Sequence, residues 1–209
     1  DQPRSRGLGD VYKRQSIFNG CTKLESVNIS HFNTSKVQSI QNIFSNCENL
    51  KELDLTNFDT SSVTDMGQAF YKCKAIRSIN LSSFDVSKVT NMSYMFEGCN
   101  NLAELDLSSF HTSPVDNLQG MFQNCYGLKK VDISNFKTPK LNRMDYMFEN
   151  CYSILSIDLT GFTSTNLTTL ESAFACCYSV KSINLSQLNT SKIVSLYRLF
   201  SVSYTHLRA

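Results

Sequence analysis

The sequence predicts an α/β solenoid, each turn contributing a short parallel strand to one face and a short helix to the other. Three observations predict it. Phe and Cys return together every 26 residues, as Phe18/Cys21, Phe44/Cys47, Phe70/Cys73, Phe96/Cys99, Phe122/Cys125, Phe148/Cys151 and Phe174/Cys177. Inside each unit apolar residues alternate over a few positions, and further on they recur at steps of three and one. A fixed period of this length without insertions marks an array whose units bury their faces only against neighbours.

The strand follows the Cys. Leu102, Leu105 and Leu107 stand three, six and eight places after Cys99, and Leu128, Val131 and Ile133 repeat the pattern after Cys125. The last two of each set alternate about one polar residue, the period of a strand with one buried face. Equivalent strands from Val27 to Leu185 are expected to pair in parallel at about 4.8 Å. Three residues on comes one large side chain per unit, Phe32, Phe58, Phe84, Phe110, Phe136, Phe162 and then Leu188, which predicts a stacked interior spine. A hydroxyl pair follows, for example Thr60-Ser61, placed to cap a helix over Val63, Met66, Ala69 and Phe70. Asn46, Gly98, Asn124 and Asn150 precede the Cys and suit the left-handed residue that ends a helix.

The unit FxxCxxLxxLDLSxFxTSxVxxMxxMF resembles the 26-residue repeat of the BspA-like bacterial surface proteins. The resemblance implies a leucine-rich-repeat fold and a secreted or envelope-attached adhesion protein, often a lipoprotein, with no catalytic residues and no cofactor. It covers Ser16 to about Ser201. Residues 1–15 and 202–209 share nothing with the repeat and read as non-native, adapter-like tails around a 16–201 array of about seven uncapped repeats. Uncapped ends are expected to expose apolar surface and self-associate.

Charge and composition exclude several classes. The whole chain carries +2, but residues 16–201 hold 15 Lys/Arg against 16 Asp/Glu, which removes a nucleic-acid reading based on basicity. No apolar run approaches the roughly 20 residues of a membrane span. His31 and His111 occupy different columns and no nucleophile set accompanies them, so no enzyme is expected. The Cys column is read as buried free thiols, because equivalent Cβ atoms about 4.8 Å apart lie outside the usual disulfide range. Cys176, adjacent to the column residue Cys177, is the expected exposed thiol. CxxC pairs with nearby His are missing, so no metal is expected there.

Two columns are candidates for ligand binding. Asn28, Asp54, Asn80, Asp106, Asp132, Asp158 and Asn184 point outward between the strand apolar residues, and Asp106, Asp132 and Asp158 bring three carboxylates together. They form either a cation or ligand site or a solvated face. Tyr126, Tyr152 and Tyr178 follow the Cys where earlier units carry Thr22, Glu48, Lys74 and Asn100. They form either a recognition strip for a host protein or glycan or cover for neighbouring loops. The expected function is recognition at the cell surface. The alternative is a spacer that projects another domain.

Overall fold

The computed structural model describes residues 16–203 as one right-through stack of 26-residue turns. Strands are β1 (Ser26–Val27), β2 (Glu52–Leu53), β3 (Glu104–Asp106), β4 (Lys130–Asp132), β5 (Ser156–Asp158) and β6 (Ser182–Asn184). They pair in parallel as β1-β2, β3-β4 and β5-β6. Register is one full repeat throughout, with Leu105 beside Val131 and Ile157 beside Ile183. Around Ile79 the unit follows the same path without forming a strand, so the face is three short sheets rather than a ladder of seven.

The opposite face corrects the expected helices: among the described residues none forms. It carries a second parallel ladder, joining Ser39, Asp65, Asn91, Asn117 and Arg143 in sequence and Thr169 to Ser195. Beyond each of these residues the chain folds into consecutive tight turns whose amides alternate between two partners. In one unit Met95, Glu97 and Cys99 donate to the carbonyls three residues back, at 3.1–3.3 Å. Met92, Tyr94, Phe96 and Gly98 instead donate to Asn117, Gln119, Met121 and Gln123 of the next unit, at 2.8–3.0 Å. A helix would spend every amide within its own unit. Here half of them hold successive units together, each unit donating to the next.

Two residues per unit sit at positive φ, four apart, to make these turns: Asn42 and Asn46 (57° and 60°), Tyr94 and Gly98 (56° and 72°), Gly120 and Asn124 (59° and 60°). Asn46, Gly98, Asn124 and Asn150 thus adopt the left-handed conformation that their residue types favour, but inside a turn ladder and not at a helix end. The hydroxyls read as caps also have another task. The Ser61 amide donates to Asp59 Oδ1 at 2.9 Å, and Thr60 Oγ1 donates to the Asp85 carbonyl at 3.0 Å while accepting the Asp85 amide at 2.8 Å. Thr112 bridges to Lys137 in the same way. At Thr60 and Thr112 the buried hydroxyl is a clasp between units, whereas Thr34 and Thr138 bury theirs without a hydrogen bond.

Two aromatic columns fill the interior. Phe18, Phe44, Phe70, Phe96, Phe122, Phe148, Phe174 and Phe200 stack in one unbroken line with centroids 5.2–6.2 Å apart. The expected spine is the second column, in which Phe58 stacks on Phe84, and Phe110, Phe136 and Phe162 on one another. Its first member, Phe32, is 36% exposed, and Leu188 at the far end is only partly buried. The Cys column runs beside the first line. Cys47, Cys73, Cys99, Cys125, Cys151 and Cys177 are fully buried and unpaired, and each Sγ donates to the carbonyl of the Phe 29 residues earlier, at 3.0–3.2 Å. Ser203 holds the next position and donates to the Phe174 carbonyl at 2.7 Å.

Candidate recognition surface

Along the strand face, the outward Asn/Asp column is explained first by local backbone chemistry. Oδ1 of Asn28, Asp54, Asn80, Asp106, Asp132, Asp158 and Asn184 each accepts the amide two residues on, at 2.9–3.1 Å. These Asx turns reverse the chain after each strand and occupy one oxygen of every carboxylate. The donors also stabilise the charged form: hydrogen bonds from Thr56 hold Asp54, and hydrogen bonds from Ser108 hold Asp106, below the usual carboxylate range. Asp106 and Asp132 are register partners, whereas Asp158 pairs with Asn184. The three candidate carboxylates therefore line one face without converging, and no group of His, Cys, Asp or Glu among the described residues has the arrangement of a metal site.

The three tyrosines do come together. Tyr126 and Tyr152 stack with centroids 4.8 Å apart and planes 14° from parallel, and Tyr152 and Tyr178 with 5.0 Å and 28°. Tyr126 and Tyr178 are 40% and 44% exposed. One repeat of translation brings ring over ring, so the rings cover one another's faces and turn their edges outward. Burial pushes the Tyr152 phenol up, and the hydrogen bond with the Cys176 side chain does the same at Tyr178. Earlier in the column the same place is taken by the Lys74–Glu48 ion pair, at 2.8 Å.

Cys176, expected to be the exposed thiol, is half-buried, and so is the column residue Cys21 in the first described unit. Burial pushes Cys125 and Cys177 up to about 12. Their sulfurs face the interior and take no part in a surface site.

One exposed apolar residue escapes a reading by columns of apolar type. Leu155 occupies a position held elsewhere by Glu25, Lys51, Arg77, Ala103, Lys129 and Lys181, and is 47% exposed. Its signal was the reverse of the usual one, a single large apolar residue in a mostly charged column, three places after a tyrosine.

Parallel strands at a one-repeat register, stacked interior columns and a 26-residue rise per turn define a leucine-rich-repeat solenoid. A leucine-rich repeat protein from Bacteroides ovatus is similar in structure, with a TM-score of 0.53 and 22% identity over 81% of this chain, which supports the fold. The chain spans 39% of that protein's length. A leucine-rich repeat protein from Eubacterium ventriosum matches 69% of this chain and 45% of its own, at 21% identity and a TM-score of 0.46. A leucine rich cell surface protein from Faecalibacterium prausnitzii matches 72% and 55%, at 19% and 0.41. No curated protein matches. The chain belongs to the family described as Mycoplasma protein of unknown function, DUF285, whose model matches residues 8–104 and 64–189. No helix among the described residues is long and apolar enough to cross a membrane.

Proposed function

We propose that the chain is a non-enzymatic recognition module displayed at a bacterial cell surface, contacting a host macromolecule, protein or glycan, through the units that carry Tyr126, Tyr152 and Tyr178. The observation that carries this reading is the exposed tyrosine ladder. In a repeat whose other columns are accounted for by turns, clasps and core, it is a local change from polar to aromatic that the scaffold does not require. Tyrosine joins apolar area to a hydrogen-bonding tip at little conformational cost, a chemistry enriched at recognition surfaces. Surface display rests on the resemblance to BspA-like repeats.

The test is adhesion of the full chain, coated on beads, to host-cell surface material, compared with the triple variant Tyr126→Ser, Tyr152→Ser, Tyr178→Ser. Two stacked ring pairs are lost, at about 0.5–1.5 kcal/mol each, so the variant remains folded at assay temperature. Adhesion should disappear. Undiminished adhesion with lowered stability would assign the ladder to the scaffold, and absence of adhesion by the parent chain would favour the spacer.

A further inference from the structure

Three residues beyond the tyrosines stands a second row. Lys129, Leu155 and Lys181 immediately precede β4, β5 and β6. The Leu155 amide donates to the Lys129 carbonyl at 3.2 Å, and the Lys181 amide to the Leu155 carbonyl at 2.9 Å. These bonds place the three residues one repeat apart in a row, about 4.8 Å from one to the next, with Lys129 and Leu155 on either side of the break between the β3-β4 and β5-β6 sheets. Both lysines are exposed, and neither lies in an ion pair among the described residues. The acidic groups further along the strands, Asp132 and Asp158, are held by the amides of Ser134 and Thr160.

We propose that this row seats an extended acidic segment of a partner protein lying along the solenoid axis, with an apolar side chain on Leu155 and carboxylates on Lys129 and Lys181. The proposal rests on the recognition reading above and names its partner. Charge decides the sign: an apolar contact flanked on both sides by unpaired ammonium groups favours carboxylates and repels basic segments. Spacing decides the form. Two rungs separate the lysines by roughly 10 Å; side chains on one face of an extended segment recur about every 6.8 Å, so an acid, an apolar residue and a second acid at alternate positions span roughly 13–14 Å, and the long lysine stems splay outward to meet the two carboxylates. The tyrosines favour a peptide over a long glycan: stacking needs a free ring face, and both faces of Tyr152 are covered by Tyr126 and Tyr178, which leaves only the outer faces of the two end rings. Their hydroxyl-bearing edges remain for the partner's backbone.

The experiment selects random linear peptides on the immobilised full chain and sequences the survivors. Enrichment is expected for apolar residues flanked by Asp or Glu, with Lys and Arg depleted. A representative survivor should bind roughly tenfold or more weakly to Leu155→Ser and to the Lys129→Gln/Lys181→Gln double variant, and more weakly as salt rises. All three side chains are exposed, and unchanged melting of the variants verifies their folding. Neutral or basic survivors, or affinity that ignores these substitutions, would overturn the proposal. So would lysine-dependent binding of a uronic-acid polysaccharide without acidic peptides. Either outcome leaves the adhesion test of the tyrosine variant standing, so the two readings can fail separately.

Discussion

Gln68 distinguishes a turn ladder from a helix by the sign of a single substitution. It lies in the segment whose apolar spacing suggests a helix, yet its φ is 56°. Its amide donates to the Ser93 carbonyl at 2.9 Å, and its carbonyl accepts the Tyr71 amide at 3.1 Å. Replacement by Gly keeps both bonds. It relieves a left-handed conformation that disfavours a side chain by about 1–2 kcal/mol, and it returns about 0.4–1 kcal/mol as extra freedom of the unfolded chain. The expected balance is a gain of roughly 0.5 kcal/mol. Gly120 occupies the equivalent position two units on, at φ 59°, so the backbone tolerates this residue. Ser93→Gly is the control: Ser93 has no positive φ, and Gly there should lower stability by about 0.5–1 kcal/mol. Urea unfolding of both variants, compared at equal slope, reads the difference. In a helix both substitutions would lose about 1 kcal/mol. Equal losses at Gln68 and Ser93 would refute the turn assignment.

Three further outcomes follow from the interior. Because burial raises Cys125 and Cys177 from 9.0 to about 12, the unfolded chain releases these protons first as pH rises. Between those values the folded state binds more protons, so stability should fall by roughly 1.4 kcal/mol per pH unit for each thiol. Cys125→Ser, built on the precedent of Ser203, should remove one such share from the alkaline slope of the urea midpoint; an unchanged slope would contradict the assignment. Thiol labelling followed by mass mapping should modify Cys21 and Cys176 well before Cys47, Cys73, Cys99, Cys125, Cys151 and Cys177, and uniform labelling would show an open core. Finally, a Cβ at Gly161 would run into the Phe136 carbonyl oxygen, part of the backbone of the previous unit. Gly161→Ala should lose about 2 kcal/mol in thermal or urea unfolding, whereas a neutral result would place the two chains further apart.

The period, the Phe and Cys columns and the position of each strand were legible because each depends on one residue type returning to one place. The helix was misread for a physical reason. Val63, Met66, Ala69 and Phe70 turn inward at steps of three and one, and consecutive turns closed by bonds to the third residue back produce nearly the same recurrence. The distinguishing signal was present in Gly120 and Asn124: two residues suited to positive φ, four apart, are one more than a helix end needs. At the surface, the tyrosine ladder followed from register alone. Asp106, Asp132 and Asp158 were found in line, but their service to the amides two residues on depends on side-chain rotation that column position does not specify. Leu155 was passed over because single exposed apolar residues are ordinary, and only its flanking lysines give it meaning.

Within the tight turns of each unit, as from Met92 to Gly98, the bonds between units all run one way and give that segment an electrical direction, whereas amides outside the turns, such as those of Asp116 and Lys129, donate back to Thr90 and Ala103 of the preceding unit. In the peptide joining Ile43 and Phe44, the carbonyl accepts from Phe18 in the preceding unit, while the amide donates to Ala69 in the following one. Its dipole thus lies along the solenoid axis, and the equivalent peptides of later units point the same way. Each interface aligns up to four such groups in its turns over a rise of about 4.8 Å, and the oppositely directed amides elsewhere in the unit confine the effect to that face. A helix directs its amides toward its first residues, whereas the turns of this stack direct theirs toward its last, so along the turn face positive potential gathers at the higher-numbered end. Beside the tyrosine and lysine row the Lys129, Ser179 and Lys181 amides donate instead to Ala103, Tyr152 and Leu155 of the preceding unit, so the two sides of the array carry differently directed backbone dipoles and the charge of that row comes from its side chains.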